Sequence, residues 1–413
     1  MGERAATDRL RIVVLGIAGR TPFAGVAWQA LHYLEGLRRL GHEVAYVEDT
    51  GSWPYDPDRD AITDDPRYTL GWLSALMARC RLSQDWAYVA PDGRPLGPAA
   101  ERLPRLLSEA DALLNLTGAT VLREEHLGVP VRVYLETDPV APQVEVAQGR
   151  AFTIDLLAAH THHLSFGERL HAADCGVPVE RFRYLPTRQP VVLDWWSPAP
   201  PDGAPRRERP YTTVASWRQT GRDVIWNGRT YHWSKDREFA RIIDLPRRSG
   251  RSFELALACD DRDALARLGA HGWRVIDGLE LSREPDRYRR YIRGSRGELT
   301  VAKDQNVRLR SGWFSDRSAT YLAAGRPVVT QDTGFAAVLP TGAGLFAFRT
   351  IDDAVAALEA IEGDYAGHRR AAREIAREHF AADRVLGALL ERCAAPAPPA
   401  DAVAAHGAGA RAA

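Results

Sequence analysis

The stretch RIVVLGIAGRTPFAGVAWQALHYLEGLRRLGHEVAYVED, residues 11–49, decides the fold. Arg11 to Leu15 is a continuous apolar run that ends in the glycine-containing segment GIAGRTPFAG, and Val26 to Leu40 then carries apolar residues at helical spacing. Gly41 stops that helix, a β-branched strand runs through Val47, and Glu48 and Asp49 stand at its end. Strand, loop, helix and strand in this order make a βαβ unit, and its two strands must lie parallel.

The same alternation continues along the rest of the chain. Helical spacing at Leu70 to Cys80 and Arg102 to Leu107 separates the first unit from strands predicted at Asp111 to Gly118, Val131 to Pro139 and Thr161 to Glu168, the last opening another helix. Residues 197–210, SPAPPDGAPRRERP, then replace periodic apolar residues with proline, glycine and arginine, as a linker does. Alternation resumes with strands at 211–217, 252–259, 273–277, 297–303 and 326–332. Helices are predicted near 236–245, 261–268 and 285–292, then at 351–361 and from 365 to about 393. The expected organisation is an α/β chain of two tandem Rossmann-like doubly wound domains facing across a cleft, at 1–196 and 211–363. Terminal helices at 364–395 and a disordered low-complexity tail at 396–413 complete it.

Composition narrows the partners. The chain has 413 residues, with 54 Lys plus Arg balancing 54 Asp plus Glu, so no global charge favours a nucleic acid or a membrane surface. The apolar run near the start is too short to span a bilayer and lacks a cleavage region, so no transmembrane segment and a cytoplasmic location are expected. Cys80, Cys175, Cys259 and Cys393 are far apart and form no C-x-x-C pair, which fits neither a disulfide framework nor a zinc site. The quoted loop reads G-I-A-G-R-T and not G-x-G-x-x-G, so the dinucleotide fingerprint of an oxidoreductase is absent.

In doubly wound sheets ligands bind beyond the carboxyl ends of the strands. SGWFSDRSATYLAAGRPVVTQDTG, residues 311–334, puts Ser315, Asp316 and Ser318 at a helix start there, with Arg310 and Arg317 beside them. A helix start offers free N–H groups to a phosphate or a sugar hydroxyl, although S-D-x-S is also an ordinary cap.

These motifs resemble those of GT-B fold glycosyltransferases. LGHEVAYVED resembles the G-H-x-V turn after the first helix of that group. SDRSATYLAAGRPVVTQDTGF resembles its nucleotide-sugar signature ending in A-x-G-x-P-V-V, and helices 365–393 resemble the element that crosses back to the first domain. The chain is similar in these respects to bacterial family-one-like transferases and the spore-coat CgeB-like group. The resemblance implies transfer of a sugar from a nucleotide-sugar donor, of UDP or dTDP type, held by the second domain, to a small-molecule or glycan acceptor, with no cofactor and no metal. A nucleotide-sugar 2-epimerase of the same fold, or a non-catalytic nucleotide-binding member, are the alternatives. One departure stands out: where many retaining members carry two glutamates with seven residues between them, this chain has Gly312 and Thr320.

The resemblance and strand-end position together nominate residues. On the donor side these are Arg218, Lys235, Lys303, Arg310, Ser315, Asp316, Arg317, Ser318 and Asp332, since a departing diphosphate needs cations and a helix N-terminus. Trp217, Trp226, Tyr231, Trp233 and Trp313 can stack a base or sugar, or fill core. On the acceptor side, Gly16, Gly19 and Thr21 form the loop after the first strand. Asp138 in YLETDP is the first choice of general base and Glu136 the second; Asp138 before Pro139 can also be a helix cap. His162 and His163 point to opposite faces of one strand, so the histidines of HTHH cannot all converge on one metal.

Overall fold

The computed structural model describes residues 9–197 and 209–394. Nearly all of the expected linker 197–210, and the whole of the expected tail 396–413, lie outside the described residues.

The described residues form two large sheets, each wound from its centre, and two small two-stranded ones. The first has eight strands in the order Tyr184–Pro186, His162–Ser165, Val131–Glu136, Ala112–Leu116, Arg11–Leu15, Glu43–Glu48, Trp86–Val89, Pro95–Leu96. Seven are parallel and only the last is antiparallel. The second has six parallel strands in the order Trp273–Asp277, Phe253–Ala258, Tyr211–Ser216, Gly297–Thr300, Val328–Gln331, Leu345–Phe348. Central strands such as Ile12 to Leu15 are buried on both faces, which explains why they read as unbroken apolar runs. Two Rossmann-like layers of this kind are the architecture the alternation predicted.

Three local departures have physical causes. Glu168 does not open a helix: the following segment folds into turns before Tyr184, because its backbone N–H groups bond to the other domain. Arg169 N donates to Ser311 O at 3.1 Å and Gly176 N to Leu309 O at 2.9 Å. Strand Leu345–Phe348 and the hairpin Val224–Trp226 with Arg229–Tyr231 were hidden in short segments without clear periodicity. The last helix is two helices, Tyr365–His379 and Ala382–Ala394, interrupted where Phe380 turns inward to stack on Phe314 with ring centres 5.3 Å apart.

That interruption couples the end of the chain to its beginning. Val191 N donates to Phe380 O at 2.7 Å and Ala382 N to Val191 O at 3.0 Å, so the backbone leaving the first sheet pairs with the break. Helix Ala382–Ala394 then lies on helix Ala24–Arg39, where Leu386 fills the space a side chain at Gly36 would occupy. One apolar core, including Trp28, Leu34, Phe314, Tyr321, Phe380 and Leu386, therefore runs from the first layer into the second.

Truncating Leu386, which is fully buried, leaves a cavity between these helices. Leu386→Ala is expected to lower unfolding free energy by about 2–5 kcal/mol, measured by urea denaturation with an unchanged m-value.

Candidate functional site

In each sheet the strand order reverses once, between Arg11–Leu15 and Ala112–Leu116 in the first and between Tyr211–Ser216 and Gly297–Thr300 in the second. Loops leaving the strands on either side of a reversal diverge and open a crevice at the carboxyl edge. Here the two crevices face each other and share one cavity of about 860 Å³, lined from both domains.

The second domain supplies two lysines. Lys303 follows strand Gly297–Thr300 and is buried; its Nζ lies 3.1 Å from the centre of the Trp233 ring and 2.6 Å from Asp138 Oδ1 across the cleft. Burial holds its ammonium below the usual lysine range, with Asp138 opposing that shift. Lys235 lines the same wall, and its amine makes no hydrogen bond or ion pair among the described residues. Burial, with Arg317 and Lys303 nearby, pulls it down to about 7. Ser315 caps the helix Asp316–Ala323 by position without a side-chain bond, and lines the cavity with Asp316. Asp316 is open to the cavity yet far below the protein surface, so burial, reinforced by the Asp138 charge, pushes its carboxyl up to about 7. Its one side-chain partner is Gln29 Nε2 of the first domain, at 3.2 Å.

The first domain supplies carboxylates. Asp138 is not a cap: the cap position is Val140, at φ 99°, whose N–H is taken by Gln143 Oε1 at 2.7 Å. Asp138 instead reaches Lys303. Glu136 lies beneath it, accepting from Gln143 Nε2 at 2.7 and 2.8 Å and from the Ser165 hydroxyl, and burial pushes it up to about 8. Trp313 closes the wall by donating from Nε1 to Thr137 O at 2.9 Å. Thr21 lines the cavity from the loop after the first strand.

Thus Asp138, Glu136, Lys235, Lys303, Ser315, Asp316, Arg317 and Thr21 gather at one cavity, while six other nominated residues lie off it. Arg317 reaches the cavity wall but is spent internally, on Glu298 at 2.6 Å, Val214 O at 2.5 Å and Thr300 Oγ1 at 2.9 Å. Arg218 is exposed on Asp236 and Asp261, and Arg310 pairs with Asp174. Asp332 is held by Arg349 and by Gly334 N, and Ser318 is buried on the inner side of its helix. Gly16 and Gly19 are packed against Tyr46, Thr69 and Leu73, and Gly19 N donates to Glu48 at 2.7 Å. The N–H groups of Gly19 and Arg20 therefore face the protein's own carboxylate, and that of Ala18 the Tyr46 hydroxyl. Among the aromatics, Trp233 and Trp313 line the cavity, whereas Trp217, Trp226 and Tyr231 pack in cores. His160 and His163 are buried and bonded to backbone carbonyls, which burial keeps neutral by lowering them to about 3 and about 4.

The two positions where many retaining GT-B enzymes carry glutamates are sterically defined. Gly312 has φ 78°, and a Cβ there would lie 2.8 Å from Arg169 N, so no carboxylate can stand at that place. Thr320 lines the cavity and its hydroxyl donates to Arg317 O at 2.6 Å.

Sequence reading did not single out Gln29 or Arg222. Gln29 is a polar residue in the apolar first half of its helix, which is a usable signal; Arg222 carried none, and it lines the cavity 5.1 Å from the Trp233 ring centre.

No family model and no curated protein sequence matches the chain. Solved structures do. The chain is similar to AviGT4, a glycosyltransferase involved in avilamycin A biosynthesis, at 14% identity and TM-score 0.53, covering 93% of this chain and 97% of that one. It is also similar to the pneumococcal O-GlcNAc transferase GtfA in complex with UDP and GlcNAc, at 10% identity and TM-score 0.52, covering 94% and 99%. A glycosyltransferase from Rickettsia africae ESF-5 matches at 9% identity and TM-score 0.51, covering 94% and 98%. The fold is GT-B.

Asp316 also fixes a pH dependence. Between its ordinary value of 3.8 and about 7 the unfolded chain ionises this carboxyl while the folded chain keeps it protonated. Its stabilising contribution is therefore complete below 3.8 and lost as pH rises through 7. In Asp316→Asn the decline of stability between pH 4 and pH 7 is expected to shrink by a few kcal/mol, on the order set by about 1.4 kcal/mol per pH unit. Denaturation across that range checks it.

Proposed function

We propose that this protein is a metal-independent glycosyltransferase that takes a sugar from a nucleoside-diphosphate donor of UDP or dTDP type. The observation that carries the reading is the pair Lys235 and Lys303 in the shared cavity, one of them without a partner among the described residues, beside the start of helix Asp316–Ala323. An amine withdrawn from water into a cleft without a partner is costly to keep, and a diphosphate is the anion that two lysines and a helix N-terminus are suited to hold. The solved GT-B structures named above, one of them with UDP bound, support the same reading.

In this scheme the second domain holds the donor, with Trp233 and Trp313 available to its rings, and the first domain presents the acceptor. The acceptor oxygen bonds to the anomeric carbon as the carbon–oxygen bond to phosphate breaks, and the diphosphate leaves with that electron pair. Lys235 and Lys303 neutralise the departing charge without a divalent cation. Asp138 takes the acceptor's proton, because of the first-domain carboxylates that line the cavity it is the one most open to solvent, 38% exposed. Asp316 receives sugar or ribose hydroxyls.

The test is thermal stability against UDP, dTDP, GDP, ADP and NAD(P). A nucleoside diphosphate at 100 times its dissociation constant is expected to add about 2.7 kcal/mol, whereas a shift with NAD(P) alone contradicts the proposal. Lys235→Met is expected to keep the fold and weaken the binding nucleotide about 10- to 100-fold, as for loss of a charge-assisted hydrogen bond worth about 1.5–3 kcal/mol; calorimetry reads it.

A further inference from the structure

The ion pair between Lys303 and Asp138 joins the two groups that the donor and the acceptor need separately. Lys303 is anchored in the second domain. Its side chain is 11% exposed, and its Nζ rests on the Trp233 ring at 3.1 Å from the centre. Asp138 belongs to the loop after strand Val131–Glu136 in the first domain, and its side chain is 38% exposed. Around them stand Arg222 and Lys235 from the second domain and Glu136 from the first, with Asp316 across the cleft. Glu136 is already satisfied by Gln143 and Ser165, so Asp138 is the carboxylate that takes the Lys303 charge.

From this geometry we infer that Lys303 is a donor-released latch on Asp138, an inference that rests on the donor reading given above. While the cleft is empty the ammonium neutralises Asp138 and occupies the carboxylate oxygen that would accept a proton. A diphosphate arriving beside Lys235 presents more charge to Lys303 than one carboxylate does. Lys303 is fixed by burial on the Trp233 face, so it is the half-open Asp138 that is given up, and water replaces the lost contact at little cost. Donor binding then uncovers the base, and an acceptor that enters first meets a masked one. The reverse coupling follows from linkage: the latch opposes nucleotide binding, because Lys303 must leave one anion to serve another.

Two measurements test this. The first is zero-length coupling with a water-soluble carbodiimide, which activates the Asp138 carboxyl. The Lys303 amine displaces the resulting urea to leave an amide between the two residues, and the cross-linked peptide is detected by mass spectrometry. The cross-link is expected in the free protein and is expected to fall about tenfold or more with saturating UDP or whichever nucleoside diphosphate binds, the change set by a tenfold preference for the unlatched state. The second is nucleotide affinity of Asp138→Asn, which loses the competing anion and is expected to bind the nucleoside diphosphate several-fold more tightly than wild type. Nucleotide binding with an undiminished cross-link, absence of the cross-link in the free protein, or an Asp138→Asn variant whose affinity is unchanged or weaker, each overturns the latch alone. Failure of every nucleoside diphosphate to bind removes the donor reading and the latch with it.

Discussion

A parallel sheet needs cover on both faces, and helices provide it, so the strand ends are where polar groups can meet without breaking the core. In this protein two such sheets are set with their carboxyl edges toward each other, and one apolar core shared by helices Ala24–Arg39 and Ala382–Ala394 keeps them in place. Polar groups that belong to different domains are thereby brought within bonding distance. Lys303 with Asp138, Gln29 with Asp316 and Trp313 with Thr137 all cross the same gap.

The cleft so formed is an unusual electrostatic environment. It removes water from lysines and carboxylates together, and burial shifts each group toward its neutral form: Lys235 down to about 7, Asp316 up to about 7 and Glu136 up to about 8. Groups poised near neutrality exchange protons and accept new charged partners with small changes in free energy. Arg317, at the same wall, shows the contrasting case. With Glu298, Thr300 and a backbone carbonyl as partners it is a fixed structural charge that shapes the potential felt by Lys235.

Much of the fold was legible because both sheets are built from local units. The run at Arg11 to Leu15, the helix to Leu40 and the stop at Gly41 predict one βαβ unit from adjacent residues, and A-A-G-R-P-V-V does the same for the helix Asp316–Ala323 and strand Val328–Gln331. What escaped depends on contacts distant in sequence. The segment after Glu168 gives its N–H groups to Ser311 and Leu309, and Phe380 breaks a helix to join a core begun at Trp28. The site followed the same division. Strand-end position found Asp138, Lys235 and Lys303, but it equally nominated Arg218 and Asp332, whose local partners take them out of the cleft. No local pattern could show that the N–H groups of Gly19 and Arg20, in the loop after the first strand, are already occupied by Glu48.

The central claim is that one anionic ligand bridges the wall formed by the second domain in the shared cavity. Hydrogen exchange measured by mass spectrometry, with and without a bound nucleoside diphosphate, tests it most directly. The account predicts slowed exchange in segments 213–219, 232–236, 301–305 and 313–320, which carry or adjoin the cavity-lining residues Ser216, Lys235, Lys303 and Asp316. Slowed exchange confined to the loop at 16–21, or bound nucleotide with no protection in those four segments, would contradict it.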